Sequence, residues 1–333
     1  LQQKKEAGMK RREFFAGAAF LAAPALVQAQ AVGNWPGTRP VRIIHPSQAG
    51  GPGDIYTRLL CEHFSRVFGG TFVTENRVGG TGTIGTAAVA QAAPDGWTLL
   101  MSSNTAHIVS PLVLPSVPYD PVRAFTAVAA IYRYGMMLIV SPKLPVKNTA
   151  EFVAWAKAGN REVNMASQGI GSVGHMMAER FHQRAGFRRV HVPYRGGPAG
   201  ILAVSQGESD YIFDNIGNAG PMIRDGMLRG LSLTGRNRAP QMPEVPTLEE
   251  EGYPGFYETV WFGLYAPIGT PRAIIERLNA ETNRWIESPA IQQRMAEGAH
   301  EPMVGTPEAM DAYWADERRL WTALVNETKA TLN

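Results

Sequence analysis

Cysteine is almost absent: Cys61 is the single one among 333 residues, so no internal disulfide can form. Beyond residue 31 no apolar run approaches the ~20 residues that a membrane-spanning helix requires. Familiar catalytic signatures are missing too. There is no phosphate-binding loop of the G-x-x-x-x-G-K-[ST] type. Ser172 lies in Ile170-Gly171-Ser172-Val173-Gly174, which lacks the glycine two positions before the serine that a hydrolase elbow needs. His45, His63, His107, His175, His182, His191 and His300 are scattered without metal-ligand spacing, and no carboxylate pair stands out for acid–base work. Gly80-Thr81-Gly82-Thr83-Ile84-Gly85 matches the dinucleotide pattern G-x-G-x-x-G. However, Asn76-Arg77-Val78 separate it from the preceding strand, and no acidic residue closes a strand at the required distance downstream. It reads as a turn that starts a helix. No catalytic residue, metal or cofactor is expected.

Net charge is another scarcity. The chain has 32 Lys and Arg against 29 Asp and Glu, but residues 1–31 hold five of the former and two of the latter, which leaves 27 of each. A neutral body has no electrostatic reason to bind nucleic acid or an anionic membrane. The basic leader reads as an export signal: Lys10-Arg11-Arg12, an uncharged Ala-rich run over 14–27, and an A-x-A cleavage site at Ala29-Gln30-Ala31. Arg11-Arg12 followed by Phe14-Phe15 allows twin-arginine export, with an ordinary secretory signal as the alternative. Met9 is a plausible start, with residues 1–8 an upstream extension. The expected location is the periplasm.

What is present is an alternation of strands and helices rich in glycine turns. Strands are expected at 41–44, 71–75 and 97–101, with helices after residue 52 and over 84–93, which implies a parallel sheet with right-handed crossovers. A second unit follows, with strands at 136–140, 163–166, 190–194, 211–214 and 231–234, helices over 152–157, 175–185 and 200–205, and a short helix starting at Pro221. A strand at 259–266 and helices over 271–287 and from Pro307 through Leu324 have too few strands to fold alone and are expected to return to the first unit. The fold class is therefore α/β in two lobes. Residues 35–134 and 262–333 form one lobe and 135–261 the other, with hinges near 131–142 and 255–266.

In such sheets, ligands sit at the carboxyl ends of strands, beside helix N-termini. Two of those ends are unusually Gly-rich: Gln48-Ala49-Gly50-Gly51-Pro52-Gly53-Asp54 and Ser167-Gln168-Gly169-Ile170-Gly171-Ser172-Val173-Gly174-His175. Glycine allows close backbone approach, and the first amides of a helix lack internal partners, so the two loops can hold an anion without a cationic side chain. Ser172 and Ser167 can add hydroxyls. Asp54 most simply stabilises its own helix, and His175 packs or caps. Ser102, Asn104 and Thr105 end one strand and Asp214-Asn215 another; each can face the cleft or close a turn. Tyr194 and Trp261 read as packing residues, and Cys61 as a buried one.

These segments, in this order, resemble the extracytoplasmic solute receptors of tripartite tricarboxylate transporters, called Bug proteins. The resemblance rests on Arg39-Pro40-Val41-Arg42-Ile43-Ile44, Ala49-Gly50-Gly51-Pro52-Gly53-Asp54, Glu75-Asn76-Arg77, Ala93-Pro94-Asp95-Gly96-Trp97-Thr98-Leu99-Leu100, and Pro118-Tyr119-Asp120-Pro121. It continues through His191-Val192-Pro193-Tyr194-Arg195-Gly196, Phe213-Asp214-Asn215, Val245-Pro246-Thr247, Trp261-Phe262-Gly263-Leu264 and Ala266-Pro267. The resemblance implies a periplasmic binding protein of type II, or Venus-flytrap, fold with its ligand cleft between the lobes. It implies a monomer that binds a small carboxylate and partners membrane permease subunits. It also implies that the two Gly-rich loops hold a ligand carboxylate through amides and ordered waters, while the other two strand ends line the rest. The chain departs from the family at His45-Pro46-Ser47-Gln48, Gln168 and Ile170. The two glutamines suggest a more polar ligand, and Ile170 a narrower site.

Overall fold

The computed structural model describes residues 35–328. The leader read at residues 1–31 lies outside them. Strand β1 (Val41–His45) is almost wholly buried and leads through a glycine turn into helix α1 (Pro52–Phe68). Pro52 occupies the first turn of α1, where a missing N–H costs nothing, and Gly69 closes the helix in the left-handed conformation at φ 68°. The buried face of α1 is Gly53, Tyr56, Thr57, Leu60, Cys61 and Phe64, a spacing of three and four. Then come β2 (Phe72–Asn76), α2 (Thr83–Ala90) and β3 (Thr98–Ser103). Both β2 and β3 pair with β1 in parallel.

A helical stretch, Thr105–Val109 of π type continuing as α3 (Ser110–Val113), precedes β4 (Phe125–Tyr134). The Ala-rich β4 carries no clear alternation because both of its faces are largely buried in mid-sheet. The chain next builds β5 (Met137–Val140), α4 (Thr149–Lys157), β6 (Glu162–Ser167), α5 (Val173–Ala185), β7 (Arg188–Pro193), α6 (Gly197–Gln206), β8 (Tyr211–Asp214), α7 (Ile216–Arg224) and β9 (Arg229–Leu233). It ends with β10 (Val260–Pro267), α8 (Arg272–Ile286), α9 (Pro289–Glu297), β11 (Glu301–Pro302) and α10 (Pro307–Thr328).

Two sheets result, ordered β11-β4-β10-β3-β1-β2 and β7-β6-β8-β5-β9. Both are mixed. In the first, β10 runs antiparallel to β3 and β4; in the second, β5 runs antiparallel to β8 and β9. This is the two-lobed α/β arrangement. The helix expected to start at Pro221 instead begins at Ile216: the Asn215 side chain accepts the Asn218 amide at 2.8 Å and caps it, and Pro221 falls inside.

The chain crosses between sheets at Gly135-Met136 and again on the way to β10. Thr234 ties these crossings together. Its amide donates to the Met136 carbonyl (2.7 Å), its hydroxyl accepts the Met136 amide (2.8 Å), and that hydroxyl donates to the Glu258 carbonyl (3.2 Å). A Cβ on Gly135 would lie 2.7 Å from the Thr234 carbonyl, so only glycine fits there. One buried apolar cluster runs through both lobes, from Val41 and Leu99 to Phe152, Phe181 and Phe213. Among the described residues no helix is long and apolar enough to cross a membrane.

Candidate functional site

The carboxyl ends of β1, β3, β6, β7 and β8 converge on a cavity of about 540 Å3 between the sheets. Its wall includes nine of the expected residues: Gln48, Gly51, Gly53, Thr105, Gln168, Ser172, Val173, Asp214 and Asn215. The other eight, Gly50, Asp54, Ser102, Asn104, Ser167, Ile170, Gly171 and His175, lie outside that wall, and the hydrogen bonds show what they do.

Asp54 is buried and braces the first loop. It accepts from the Gly50 amide (3.0 Å), Arg58 Nε (3.0 Å) and Asn76 Nδ2 (2.9 Å), and Asn76 also donates to the Ser47 carbonyl (3.1 Å). Burial pushes the Asp54 carboxyl up, but Arg58, the Gly50 amide and Asn76 outweigh it and hold it below its ordinary value. Gly53 is needed for close approach: a Cβ there would stand 2.5 Å from His45 Cε1 and 2.7 Å from Phe262. His45 donates through Nδ1 to the Met101 carbonyl (3.3 Å), and burial lowers its pKa to about 4, so a neutral imidazole lines the cavity.

The second loop is braced more heavily. The Gly169 amide donates to Ser167 Oγ (3.1 Å), Gly171 to His175 Nδ1 (3.2 Å), Ser172 to the Gly169 carbonyl (3.1 Å), Val173 to Thr105 Oγ1 (3.3 Å) and His175 to Ser172 Oγ (3.1 Å). Five amides of this loop are thus already engaged inside the protein. The Gly171 contact puts the proton of His175 on Nε2, which faces Glu179 at 3.4 Å. Burial disfavours the Glu179 carboxylate, but His175, His182 and Arg189 outweigh it and hold it well below the carboxylate range. The His175 ring stacks on His191 at 4.0 Å, and His191 Nε2 meets Ser167 Oγ at 2.7 Å. Ser172 and His175 meet only through the helix cap, not through the nucleophile–base contact that hydrolysis would need. Gln168 is engaged as well, donating to the Phe213 carbonyl (2.7 Å) and Asp214 Oδ2 (2.8 Å).

Asp214 is fully buried without a cation. Burial raises its pKa, opposed by Gln168, the Asn215 amide and Asn218. Asn104 lies behind the wall, donating to the Thr259 carbonyl (2.9 Å), and Ser102 is buried within β3.

The wall also holds residues that sequence reasoning did not assign to the site: Gly79 to Gly82, read as a helix-entry turn, Tyr134, Met136, and the turn Tyr194-Arg195-Gly196-Gly197-Pro198, of which Tyr194 was read as packing. That turn had a signal, since Gly196-Gly197-Pro198 repeats Gly50-Gly51-Pro52. In both, a glycine pair precedes a proline in the first turn of a helix whose N-cap has no side-chain partner. The Gly82 N-cap of α2 also lacks a side-chain partner, but the Gly82, Thr83 and Ile84 amides already donate to the Gly79 and Gly80 carbonyls of the preceding turn. The N-termini of α1 and α6, neither with a side-chain cap, therefore face one cavity, which suits an anion. Among the described residues, Arg195 is its one basic side chain besides neutral His45.

Hydroxyls of the first lobe reach across to the second loop. Thr81 Oγ1 donates to the Ile170 carbonyl (2.7 Å) and Ser110 Oγ to the Gly171 carbonyl (3.2 Å). Ile170 and Gly171 therefore serve lobe closure. Thr81 holds a left-handed φ of 53°, unfavourable for a β-branched residue. Thr81→Gly keeps that turn and deletes the hydroxyl. It is expected to shift the free protein toward an open form by about 1 kcal/mol, read as a larger radius of gyration in small-angle scattering. An unchanged radius would show that this hydrogen bond has no weight in closure.

Comparison with known proteins gives a consistent picture. The model of the tripartite tricarboxylate transporter family receptor matches residues 56–330. BugT of Bordetella pertussis is 34% identical over 295 residues, 88% of this chain and 90% of its own. Among solved structures, Rpa4515 of R. palustris with adipate is 30% identical with a TM-score of 0.85, covering 89% of this chain and 98% of that one. MatC (Rpa3494) from Rhodopseudomonas palustris with bound malate is 30% identical with a TM-score of 0.81, covering 87% and 99%.

Proposed function

The chain belongs to the receptor family of the tripartite tricarboxylate transporters, and from that premise we propose that it captures a small organic carboxylate between its lobes and presents it to membrane permease subunits. The observation that carries this reading is the convergence of the N-termini of α1 and α6, neither with a side-chain cap, on one cavity. Hydrogen bonds to a charged group contribute about 1.5–3 kcal/mol each, so three or four in a closed cleft reach the roughly −8 kcal/mol of micromolar binding. Adipate and malate in the two similar structures are carboxylates of suitable size. Export to the periplasm, directed by residues 10–31, places the receptor where such a solute would be met.

The test is mass spectrometry of small molecules released from gently purified protein, with a thermal-shift screen of carboxylates on the same sample. An intact acid that co-purifies is expected to stabilise the protein by about 2.7 kcal/mol at a hundred times its Kd, a shift of several degrees. A chemically altered product would point to catalysis. No shift with any carboxylate would overturn the reading.

A further inference from the structure

We propose that the π turn at Thr105–Val109 is a two-register element that senses lobe closure and passes it through Tyr119 to the surface loop 114–124. Pro115, Ser116, Pro118 and Asp120 of that loop are exposed, and none of its residues lines the cavity. The inference goes beyond the carboxylate-receptor reading, because it holds whatever ligand closes the lobes. It starts from one backbone bond. The Ser110 amide donates to the Thr105 carbonyl, five residues back, and not to Ala106 as in an α-helix. In this wider register the Ala106 carbonyl would take the amide of residue 111, but that residue is Pro111, which has no N–H. The helix therefore leaves the Ala106 carbonyl open, and the Tyr119 hydroxyl donates to it at 2.6 Å. Pro118-Tyr119-Asp120-Pro121 is one of the segments that carry the family resemblance, and the cleft gives it no role. Tyr119 ties the loop to the turn, while Asp120 Oδ1 accepts the Val122 (2.8 Å) and Arg123 (3.1 Å) amides and shapes the loop.

The same register serves the other lobe. Residues five apart on an α-helix point about 140° away from each other. The wider turn brings Thr105 and Ser110 nearer to one face, and both reach the second loop. Thr105 Oγ1 accepts the amide of Val173, the first residue of α5, at 3.3 Å, and Ser110 Oγ donates to the Gly171 carbonyl at 3.2 Å. Opening the lobes removes both contacts and with them this support for the wider register. The Ser110 amide can then return to the Ala106 carbonyl, in competition with the Tyr119 hydroxyl. One acceptor thus serves the turn in the open protein and the loop in the closed one. Stability alone does not explain the turn as it stands: His107, at its centre, is buried with neither ring nitrogen partnered.

The experiment is amide hydrogen exchange, followed by mass spectrometry, on the intact protein without ligand. Val173→Pro removes one closing contact from the second lobe. It suits the first turn of α5, where no N–H is needed and Ser172 before it is already extended. It is expected to speed exchange in the loop 114–124 of the first lobe about three- to fivefold, the effect of one lost hydrogen bond. Thr105→Val, which deletes the same acceptor, is expected to do the same, and Thr105→Ser to keep the wild-type rates. Tyr119→Phe alone is expected to speed the loop by a similar factor, and Val173→Pro added to it to speed the loop no further. Melting temperatures and exchange within α5 verify folding. Loop rates unchanged in both Val173→Pro and Thr105→Val would overturn the proposal, as would a full additional rise in the double variant. Neither outcome touches the carboxylate receptor, whose own test is the thermal shift.

Discussion

At pH 5 the protein is expected to melt on the order of 10 °C below its pH 7 melting temperature. The cause is a set of histidines buried in neutral form. Burial lowers His45 from the ordinary 6.5 to about 4, His107 to about 3 and His300 to about 4. A base whose folded pKa is depressed binds its proton in the unfolded chain first. Stability is therefore complete above pH 6.5 and lost as pH falls from there toward the folded values. Each such histidine forfeits about 2 kcal/mol between pH 7 and pH 5. Asp214, Glu258 and Glu317, raised by burial, act in the opposite sense, because the folded state takes up their protons first. The net loss is a few kcal/mol, at roughly 2–4 °C each.

His107 offers the cleanest test. Neither ring nitrogen has a partner, and the ring lies flat on Tyr265 at 3.9 Å. His107→Phe is expected to raise stability at pH 7 by about 1–2 kcal/mol and to reduce the loss between pH 7 and pH 5 by about 2 kcal/mol. Calorimetric melting across pH 5–7 at fixed ionic strength decides. A flat profile in the wild type would refute the argument.

Breaking the ion pair of Arg180 and Glu258 is expected to cost about 3–5 kcal/mol. Arg180 on α5 donates to Glu258 Oε1 and to the Gly255 carbonyl, both at 2.7 Å, and its guanidinium lies over Phe256 at 4.6 Å. Both side chains are buried, at 7% and 4% exposure, so neither charge has water to fall back on once its partner is gone, and the Arg180 charge keeps only the longer contact of its Nε with Glu327 at 3.7 Å. Burial pushes the Glu258 carboxyl up, and Arg180 pulls it back down. The pair fastens α5 to the return crossing just before β10, whose other anchor is Thr234 on the Glu258 carbonyl. Arg180→Met and Glu258→Leu should each lower the denaturation midpoint strongly. The double change Arg180→Met with Glu258→Leu should cost much less than the two single losses together, since it leaves no unpaired charge. Urea titration of the four proteins forms the cycle. A single-variant loss below about 1 kcal/mol would show that the pair is solvated.

Much of this was legible in the amino-acid order. Short apolar runs such as Tyr211-Ile212-Phe213-Asp214 became strands, and glycine followed by proline marked where α1 begins. Both signals are local: hydrophobic period and turn conformation depend on a residue and its near neighbours. The same kind of signal at Gly196-Gly197-Pro198 was readable and would have moved the start of α6, expected over 200–205, back to Gly197. By contrast, β4 and the start of α7 were hidden. The first is buried on both faces and so lacks alternation, and the second carries an internal proline that looks like a beginning.

The sequence by itself determined the α/β alternation, the family resemblance and the Gly-rich strand ends. Only the tertiary structure decided which groups at those ends remain free to meet a ligand. Gly171 and Val173 donate to protein acceptors, Asp54 and Gln168 are bound by their neighbours, and Arg195 and Gln48 have no partner among the described residues. The reason is that these assignments hinge on partners far apart in the chain. Thr81 meets Ile170 across 89 positions and Ser110 meets Gly171 across 61. Such pairs exist only once two separately twisted sheets have been packed at one distance and angle, and no local period in the sequence encodes that.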